Sequence, residues 1–302
     1  MSKPRLAITL GDPAGIGFEI TLRAVNSLEV QRVCSPIIFG DARFAGFFKK
    51  HNFIAASKIG KIKTGVASKK AGLAALGAIE KAVEYCLKGE TLALVTAPVS
   101  KESLKLAGVK YPGHTELLAA LTKSPEIAMM MVCGKILSVM VTRHIPLSEV
   151  SKKLKTKDIV ETVTLAAGFD KALKIAVCAL NPHAGDNGIL GGEEKKIIAP
   201  ACKILAAKGF NVSRPLPADS AWLKTKNGEF DLLCGMYHDQ VMIPLKCIDA
   251  KKIVNVTAGL PFVRTSPGHG AAYDIAGKNI ADESAMIAAI VFAAKNAKKG
   301  LR

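Results

Sequence analysis

The sequence has few aromatic residues and no apolar run long enough to cross a bilayer. Phe, Trp and Tyr make up 5% of the 302 residues, whereas hydrophobic residues as a class make up 49%. Every apolar run is shorter than the roughly 18 residues that a membrane-spanning helix needs. The opening stretch, MSKPRLAITLG, runs directly into a strand-like segment without the hydrophobic region of a signal peptide. We therefore expect a globular protein, with a core of Ala, Ile, Leu and Val, that does not interact with membranes.

The cysteines also lack a pattern that would indicate a zinc ribbon or a disulfide framework. There are seven of them, an odd number, and none forms a CxxC pair. Most lie inside apolar runs, where cysteine behaves as a small buried hydrophobic residue. We expect reduced thiols and a cytoplasmic location.

Acidic residues are scarce relative to basic ones. The chain has 42 Lys and Arg against 25 Asp and Glu, for a formal net charge of +17. Such an excess raises nucleic acid as a partner. However, the lysines are scattered in pairs, and no basic block is interleaved with the aromatic residues that stack on bases. We expect a solvated lysine-rich surface and no nucleic-acid partner, and the same positive field would favour an anionic small substrate.

Strand-like and helix-like segments alternate along the chain. The predicted strands are Arg5–Leu10, Ser35–Phe39, Thr91–Thr96, Ala128–Cys133, Ile136–Val141, Lys174–Leu180 and Asp231–Met236. The predicted helices include Ile16–Asn26, Lys70–Lys88, Thr115–Leu121, Thr156–Phe169, Glu193–Lys208 and Ala281–Lys298. Apolar strands alternating with helices predict an α/β fold with a mainly parallel sheet. The length predicts two domains or one large unit.

Short polar segments follow several of these strands. They are TLGDPAG at 9–15, TAPVSK at 96–101, TRHIP at 142–146, LNPHAGDNG at 180–188 and YHDQ at 237–240. In open α/β sheets, ligands bind outside the carboxyl ends of the strands. We therefore expect these segments to converge on one site.

Three histidines, His144, His183 and His238, each follow a predicted strand. Three imidazoles could form a divalent-metal site with one position left for substrate. Their spacing matches no local metal motif, so separate histidines bonded to backbone groups are the alternative. The sequence pattern alone leaves both interpretations open.

Other segments are suited to an anion. GDPAGIGFE at 11–19 is a Gly-rich turn before a helix, but it matches neither GxGxxG nor the P-loop. His114 and Thr115 could face a bound anion, although Thr115 could instead cap a helix. Arg264, in a segment dense in Gly, Ser and Thr, could bind phosphate or carboxylate, or it could be an ordinary surface arginine.

Several motifs together resemble one enzyme family. They are GDPAGIGFE, TAPVSK, YPGHTELL, TRHIPL, LNPHAGDNGILGGEE, PLPADS, YHDQVMIPLK and RTSPGHGAAYDIAGK. In this order they resemble the 4-hydroxythreonine-4-phosphate dehydrogenase (PdxA) family of pyridoxal 5′-phosphate biosynthesis. HGAAYDIAGKNIAD at 269–282 also resembles the adenine-binding loop of isocitrate and isopropylmalate dehydrogenases.

The resemblance implies an isocitrate dehydrogenase-like fold with two α/β domains and a cleft between them. We place the dinucleotide-side domain at residues 1–106 plus 256–302, and the metal, substrate and dimerisation domain at 107–255. The family forms homodimers with shared active sites, so His238 would serve the metal of the neighbouring subunit.

The resemblance also implies a role for individual residues. The implied metal ligands are His144, His183 and His238, and the implied substrate contacts are His114, Thr115, Lys246, Asn255 and Arg264. We expect NAD or NADP along 264–278, with contacts from His269, Gly270, Asp274 and Ile275. Asp219, Asp239 and Lys246 are the candidate catalytic residues.

The implied reaction is the oxidation and decarboxylation of 4-phosphooxy-L-threonine, with Zn²⁺ as the expected metal and Mg²⁺ or Co²⁺ as alternatives. A related dehydrogenase for another phosphorylated hydroxy acid or a cis-dihydrodiol is the second interpretation, and a non-catalytic metal- or phosphate-binding protein is the third. The chain departs from the usual family pattern at Phe18, Val241 and Gly268.

Overall fold

A computed structural model describes residues 3–111, 113–168 and 170–297. The strands are β1 (Arg5–Thr9), β2 (Ser35–Asp41), β3 (Asn52–Ser57), β4 (Ala93–Thr96), β5 (Ala128–Cys133), β6 (Ile136–Met140), β7 (Lys174–Cys178), β8 (Asn211–Leu216), β9 (Leu232–Gly235), β10 (Val254–Ala258) and β11 (Val263–Pro267). The α-helices are α1 (Gly17–Asn26), α2 (Leu28–Val33), α3 (Lys69–Leu87), α4 (Lys101–Leu106), α5 (His114–Leu121), α6 (Leu147–Lys153), α7 (Thr156–Ala167), α8 (Ala199–Ala207), α9 (Ala218–Lys226), α10 (His238–Asp249) and α11 (Ser284–Asn296). Short 3₁₀ segments cover Ala42–Phe48 and Ala250–Lys252, a turn with left-handed backbone covers Pro182–Gly188, and a π-helix covers Glu194–Ile198.

The chain divides into two compact units. Within the described residues, the first comprises 3–126 and 254–297, and the second comprises 127–253. The divisions therefore fall after residues 126 and 253, whereas the sequence analysis places them after 106 and 255. Helices α4 and α5 lie in the first unit because both pack against α3.

The first unit is built on strands in the order β3-β2-β1-β4-β11-β10. All neighbouring pairs are parallel except β10 and β11, which form an antiparallel pair. Helix α3 packs on β1, β2, β3 and β4, and α11 packs on β4, β10 and β11. Small residues on α3, including Ala71, Ala75 and Ala82, are fully buried, so the helix can lie close to the strands.

The second unit has the strand order β5-β6-β9-β7-β8. Strands β6, β9, β7 and β8 run parallel to one another, and β5 pairs antiparallel with β6. Its core includes Trp222, whose indole N–H donates to the backbone oxygen of Gln240 at 2.8 Å. Val241, one of the departures from the family pattern, is fully buried in this core.

The seven predicted strands are confirmed, with ends shifted by at most two residues. Four strands were not predicted. β3 (NFIAAS) and β8 (NVSRPL) are edge strands with half-exposed faces, and β10 and β11 lie in the Gly-, Ser- and Thr-rich segment interpreted as a ligand loop. Helices α2, α4, α6, α9 and α10 are not among the predicted helices either, and α10 contains Pro244, a residue that usually ends or kinks a helix.

The predicted helices are confirmed with adjusted ends. The predicted helix Glu193–Lys208 is a π-helix followed by α8. The predicted ends of two other helices, at 169 and 298, lie outside the described residues. No helix in the described ranges combines the length and apolarity that a bilayer span requires.

Candidate functional site

In the first unit, the tight turn that follows β1 packs against the segment that follows β4. Gly11 has φ +68°, and a Cβ there would lie 2.3 Å from the backbone oxygen of Pro98, so only glycine fits. The backbone N–H of the next residue, Asp12, donates to the same oxygen at 2.9 Å. The carboxylate of Asp12 is fully buried and accepts from the N–H of Ala14 at 2.8 Å and the hydroxyl of Tyr273 at 2.8 Å.

Tyr273 belongs to the predicted dinucleotide loop. Its hydroxyl also lies 2.9 Å from Oγ of Ser103 at the start of the chain's fourth helix. Burial raises the pKa of this phenol, and the hydrogen bond to Asp12 acts in the same direction. Tyr273 therefore remains a neutral hydrogen-bond donor that ties the loop to the exits of β1 and β4.

Two further contacts join this loop to the turn before α1. The N–H of Ile16 donates to the backbone oxygen of Ala271 at 3.0 Å. The N–H of Gly277 donates to Oε1 of Glu19 at 2.5 Å. Hydrogen bonds thus hold the turn before α1 and the loop that contains Tyr273 together.

The predicted cofactor contacts lie on this loop. His269, Gly270 and Asp274 are exposed, and Ile275 is half-buried. The loop therefore presents side chains and backbone to solvent while its base is fixed.

Arg264 is buried, which overturns its interpretation as a surface arginine. It is 2% exposed and lies in the middle of β11. Its Nη1 donates to Oγ1 of Thr257 at 3.1 Å, and its Nη2 donates to Oγ1 of Thr96 at 2.7 Å. Burial lowers the pKa of the guanidinium to about 10, while the carboxylate of Glu116 acts in the opposite direction. The group still carries a positive charge at neutral pH.

Three buried polar atoms of the proposed substrate contacts, all in the first unit, have no partner within the described part of the chain. They are Nε of Arg264, Nε2 of His114 and Oδ1 of Asn255. Burial lowers the pKa of His114 well below its usual range, and the charge of Arg264 lowers it further. An unpartnered buried polar group is unfavourable. The arrangement suits an anion that accepts hydrogen bonds from Arg264 and from His114.

Thr115 is buried beside His114, but the structure corrects its predicted capping role. Helix α5 begins at His114 after the N-cap Gly113, and no side chain caps it. Thr115 is therefore inside the first turn, where its backbone N–H belongs to the positive end of the helix.

In the second unit, His144 and His238 lie together. Their ring centroids are 5.7 Å apart, and both line a cavity of about 210 Å³. His144 follows β6 with φ +46°, a strained conformation for a residue other than glycine. His238 begins α10, and its Nδ1 lies 2.7 Å from Oδ1 of Asp239. This contact fixes the ring and leaves Nε2 as the free nitrogen.

His183 lies in a second cavity, of about 420 Å³, with Asp219 and Tyr237. Tyr237 also lines the cavity of His144 and His238, so it lies between the two. Asp219 is exposed at the start of α9, and its Oδ1 accepts from the N–H of Ser220 at 2.8 Å. Lys246 is exposed on α10, about two turns after His238.

The chain thus brings two of the three predicted metal ligands together and holds the third apart. Across residues 3–111, 113–168 and 170–297, no group of three His, Cys, Asp or Glu side chains could hold a metal ion. Two imidazoles do not complete a four-coordinate site.

Four residues near the site were not singled out from the sequence. They are Asp12, Tyr273, Gln240 and Glu194, all of which fix backbone segments by buried or half-buried side-chain hydrogen bonds. A polar residue directly after an apolar strand was the available signal for Asp12. Glu194 gave none, because its carboxylate contacts backbone groups 13 and 14 residues earlier in the chain.

Comparison with known proteins gives consistent matches over the whole chain. The family model of the pyridoxal phosphate biosynthetic protein PdxA matches residues 10–293. A 4-hydroxythreonine-4-phosphate dehydrogenase from Sulfurihydrogenibium sp. (strain YO3AOP1) is 40% identical, over 96% of this chain and 97% of the relative. A D-threonate 4-phosphate dehydrogenase from Cupriavidus necator is 38% identical, over 95% of each chain. The crystal structure of 4-hydroxythreonine-4-phosphate dehydrogenase from Klebsiella pneumoniae superposes with a TM-score of 0.89 at 34% identity, over 98% of both chains. The predicted fold class is confirmed.

Proposed function

Because the chain belongs to the PdxA family of dehydrogenases, we propose that it oxidises 4-phosphooxy-L-threonine in pyridoxal 5′-phosphate biosynthesis. NAD⁺ or NADP⁺ accepts a hydride from the carbon that bears the secondary hydroxyl, and the hydroxyl proton is released. The resulting β-keto acid loses CO₂ to give 3-amino-2-oxopropyl phosphate. The observation that carries this proposal is the buried cation Arg264, whose Nε, like Nε2 of His114 in the same unit, has no partner among the described residues.

The phosphate group of the substrate is the anion that best suits this unit. A dianionic phosphate accepts several charge-assisted hydrogen bonds, which Arg264 and the N-terminal turn of α5 can donate. Neutral His114 can donate one more from its Nε2. Thr115 and Asn255 complete the proposed contacts, and the oxygen of the Asn255 amide suits a substrate N–H or O–H group.

The nicotinamide cofactor is proposed to lie along the loop fixed by Tyr273. His269, Gly270, Asp274 and Ile275 are the proposed contacts, because this segment exposes them above a fixed base. The protein would orient the cofactor, and the cofactor supplies the hydride chemistry.

A divalent metal, Zn²⁺ or alternatively Mg²⁺ or Co²⁺, would be held by His144, His183 and His238. When bound, such an ion lowers the pKa of a substrate hydroxyl and stabilises negative charge on oxygen. Asp239 would orient the imidazole of His238 through the 2.7 Å contact. The resemblance to the PdxA family implies a shared site, and we propose a homodimer in which His238 serves the site of the neighbouring copy.

The remaining charged residues are proposed to act on the substrate itself. Asp219 lines the cavity of His183 and could move a proton there. Lys246 would neutralise the substrate carboxylate or phosphate. The seven cysteines form no disulfide, which suits the proposed cytoplasmic location.

D-threonate 4-phosphate is the second candidate substrate. The Cupriavidus necator relative, named for this substrate, is 38% identical. Both candidate substrates are hydroxy acids with a phosphate group on the terminal carbon, so the site around Arg264 suits either. A cis-dihydrodiol carries no phosphate and could offer Arg264 at most a carboxylate.

The experiment is a substrate panel assayed for reduction of NAD⁺ and NADP⁺. It would include 4-phosphooxy-L-threonine, D-threonate 4-phosphate and the corresponding dephosphorylated compounds, each with and without a chelator. We expect activity with a phosphorylated substrate that is lost on chelation and regained with Zn²⁺, Co²⁺ or Mg²⁺. Activity with the dephosphorylated compounds alone would contradict the proposal.

A further inference from the structure

His183 is carried by a turn in which six consecutive residues have positive φ. The values are 52° for His183, 55° for Ala184, 80° for Gly185, 42° for Asp186, 55° for Asn187 and 105° for Gly188. Four of the six are not glycine, and each such residue is unfavourable in the left-handed region. The turn therefore needs support from the structure beneath it.

The carboxylate of Glu194 lies directly beneath this turn. Its Oε1 accepts from the backbone N–H groups of Leu180 at 2.9 Å and Asn181 at 2.8 Å, and its Oε2 lies 3.1 Å from Nδ2 of Asn181. A Cβ at Gly185 would lie 2.6 Å from Oε2, so the turn packs closely onto the carboxylate. Glu194 is 7% exposed, and its hydrogen bonds therefore form away from water.

A π-helix places Glu194 in this position. The wider turn covers Glu194–Ile198, where the sequence predicted regular α-helix. The backbone oxygen of Ile197 in this turn accepts from Oγ1 of Thr156 at 3.0 Å. Single π-helical turns inside α-helices are frequent at functional sites.

The side chain of Gln240 also holds the segment that follows β7 and leads to His183. Its Nε2 donates to the backbone oxygen of Ala179 at 2.8 Å, and its Oε1 accepts from the N–H of Met236 at 2.6 Å. The segments leading to His183 and to His238 are thereby joined by one buried side chain. Glu194 supports the next two residues of the first segment.

We propose that Glu194 is a positioning residue that holds the left-handed turn and so sets the direction of the His183 imidazole. The proposal rests on the proposed role of His183 as a metal ligand, but its first consequence concerns the turn alone. Without the carboxylate, the N–H groups of Leu180 and Asn181 lose their acceptor, and the strained turn has no support. The turn would then relax, and His183 would be free to point elsewhere.

The test compares Glu194→Ala, Glu194→Gln and the control Glu193→Gln in the full-length protein. The carboxylate of Glu193 accepts from Nδ2 of Asn181 at 2.9 Å and from the backbone of Glu193 and Gly192, whereas the N–H groups of Leu180 and Asn181 donate to Glu194. In Glu194→Gln the amide oxygen can still accept from both backbone N–H groups. Hydrogen exchange of the amides at 180–190 and titration with Co²⁺, followed by its visible absorption, are the two measurements.

We expect Glu194→Ala to exchange these amides about tenfold faster and to bind Co²⁺ at least about tenfold more weakly. Glu194→Gln and Glu193→Gln should lie much closer to the wild type, with the Co²⁺ spectrum retained. Wild-type exchange at 180–190 and wild-type Co²⁺ affinity in Glu194→Ala would overturn the proposal.

A second pair of variants decides the question if Glu194→Ala does not fold. Gly185→Ala and Gly188→Ala both place a side chain at positive φ, but only the first meets the Glu194 carboxylate, since nothing lies within 4 Å of the second. Because Gly185→Ala adds a clash with the carboxylate to the strain that both variants share, we expect a clearly larger rise in exchange and loss of Co²⁺ affinity in Gly185→Ala, and equal effects would contradict the proposal. Failure of the wild type to reduce NAD⁺ would refute the proposed function and leave the exchange result intact.

Discussion

In the first unit, the buried guanidinium of Arg264 is close enough to the imidazole of His114 to disfavour its protonation electrostatically. Burial lowers the pKa of His114 well below its usual range, and the charge of Arg264 lowers it further. Each of the two side chains keeps one buried nitrogen without a partner in the described residues. The pair is thus a site whose hydrogen-bonding groups are completed by an anion.

The lowered pKa of His114 predicts a pH-dependent stability. The unfolded chain protonates this histidine below about pH 6.5, while the folded chain resists protonation. Its contribution to stability is therefore constant above that pH and is lost as the pH falls through it, at up to about 1.4 kcal/mol per pH unit. Between pH 7 and 5.5, the wild type should lose about 1 kcal/mol more unfolding free energy than His114→Gln.

Urea unfolding without substrate or metal measures this difference. His269→Gln, a change at an exposed histidine, is the control and should behave like the wild type. The interpretation of His114 fails if His114→Gln shows the same loss of stability as the wild type.

Substitution of Arg264 tests the phosphate site. Arg264→Lys keeps a positive charge but cannot donate to Thr96, Thr257 and a phosphate from one planar group. We expect the KM for the phosphorylated substrate to rise about 10- to 100-fold, as for the loss of one or two charge-assisted hydrogen bonds. Steady-state kinetics measure this, and Arg32→Lys, at an exposed site on α2, is the control. An unchanged KM would exclude Arg264 from substrate binding.

The sequence alone could predict the α/β class, because apolar strands and alternating helices carry a strong periodic signal. It did not predict β10 and β11, since Asn255, Thr257, Arg264 and Ser266 are polar residues in short strands. Two of these residues, Asn255 and Arg264, are proposed substrate contacts. The polar residues that would form the site interrupt the apolar pattern by which a strand is recognised in a sequence.

Removal of the Tyr273 hydroxyl tests the support of the dinucleotide loop. In Tyr273→Phe, the buried Oδ2 of Asp12 loses its donor, which costs about 1–3 kcal/mol. Because the loop rather than the reacting atoms is affected, we expect the KM for NAD⁺ or NADP⁺ to rise about tenfold with kcat within about twofold.

Tyr85→Phe is the matched control for this variant. Tyr85 lies on α3 and contacts Phe39 edge-on, with ring centroids 5.1 Å apart, so loss of its hydroxyl preserves this packing. Equal KM values in the two variants would show that the contact between Tyr273 and Asp12 does not support cofactor binding.

Substitution of Asp239 tests the orientation of His238. Asp239→Asn replaces the carboxylate that holds Nδ1 of His238 at 2.7 Å. Loss of such a contact lowers metal affinity about 10- to 100-fold, and calorimetric titration with Zn²⁺ should show a decrease in this range. Asp249→Asn, at the end of the same helix, should bind Zn²⁺ like the wild type. Unchanged affinity in Asp239→Asn would remove His238 from the proposed ligands.

The three candidate metal ligands illustrate which part of the site the sequence could not predict. The residues after β6, β7 and β9 pointed to His144, His183 and His238, and two of these do come together. The left-handed turn that carries His183 could not be foreseen, because Glu194 supports it across a stretch of sequence with no local pattern. Long-range contacts of single side chains leave no periodic trace in a sequence.

The most direct test is reduction of NAD⁺ or NADP⁺ by the purified protein with 4-phosphooxy-L-threonine, followed by the absorbance of the reduced nicotinamide. The proposed function predicts that reduction requires the phosphorylated substrate, stops on chelation and returns with added Zn²⁺, Co²⁺ or Mg²⁺. It also predicts that D-threonate 4-phosphate is the poorer substrate. No reduction with metal supplied, or reduction with D-threonate 4-phosphate alone, would contradict it.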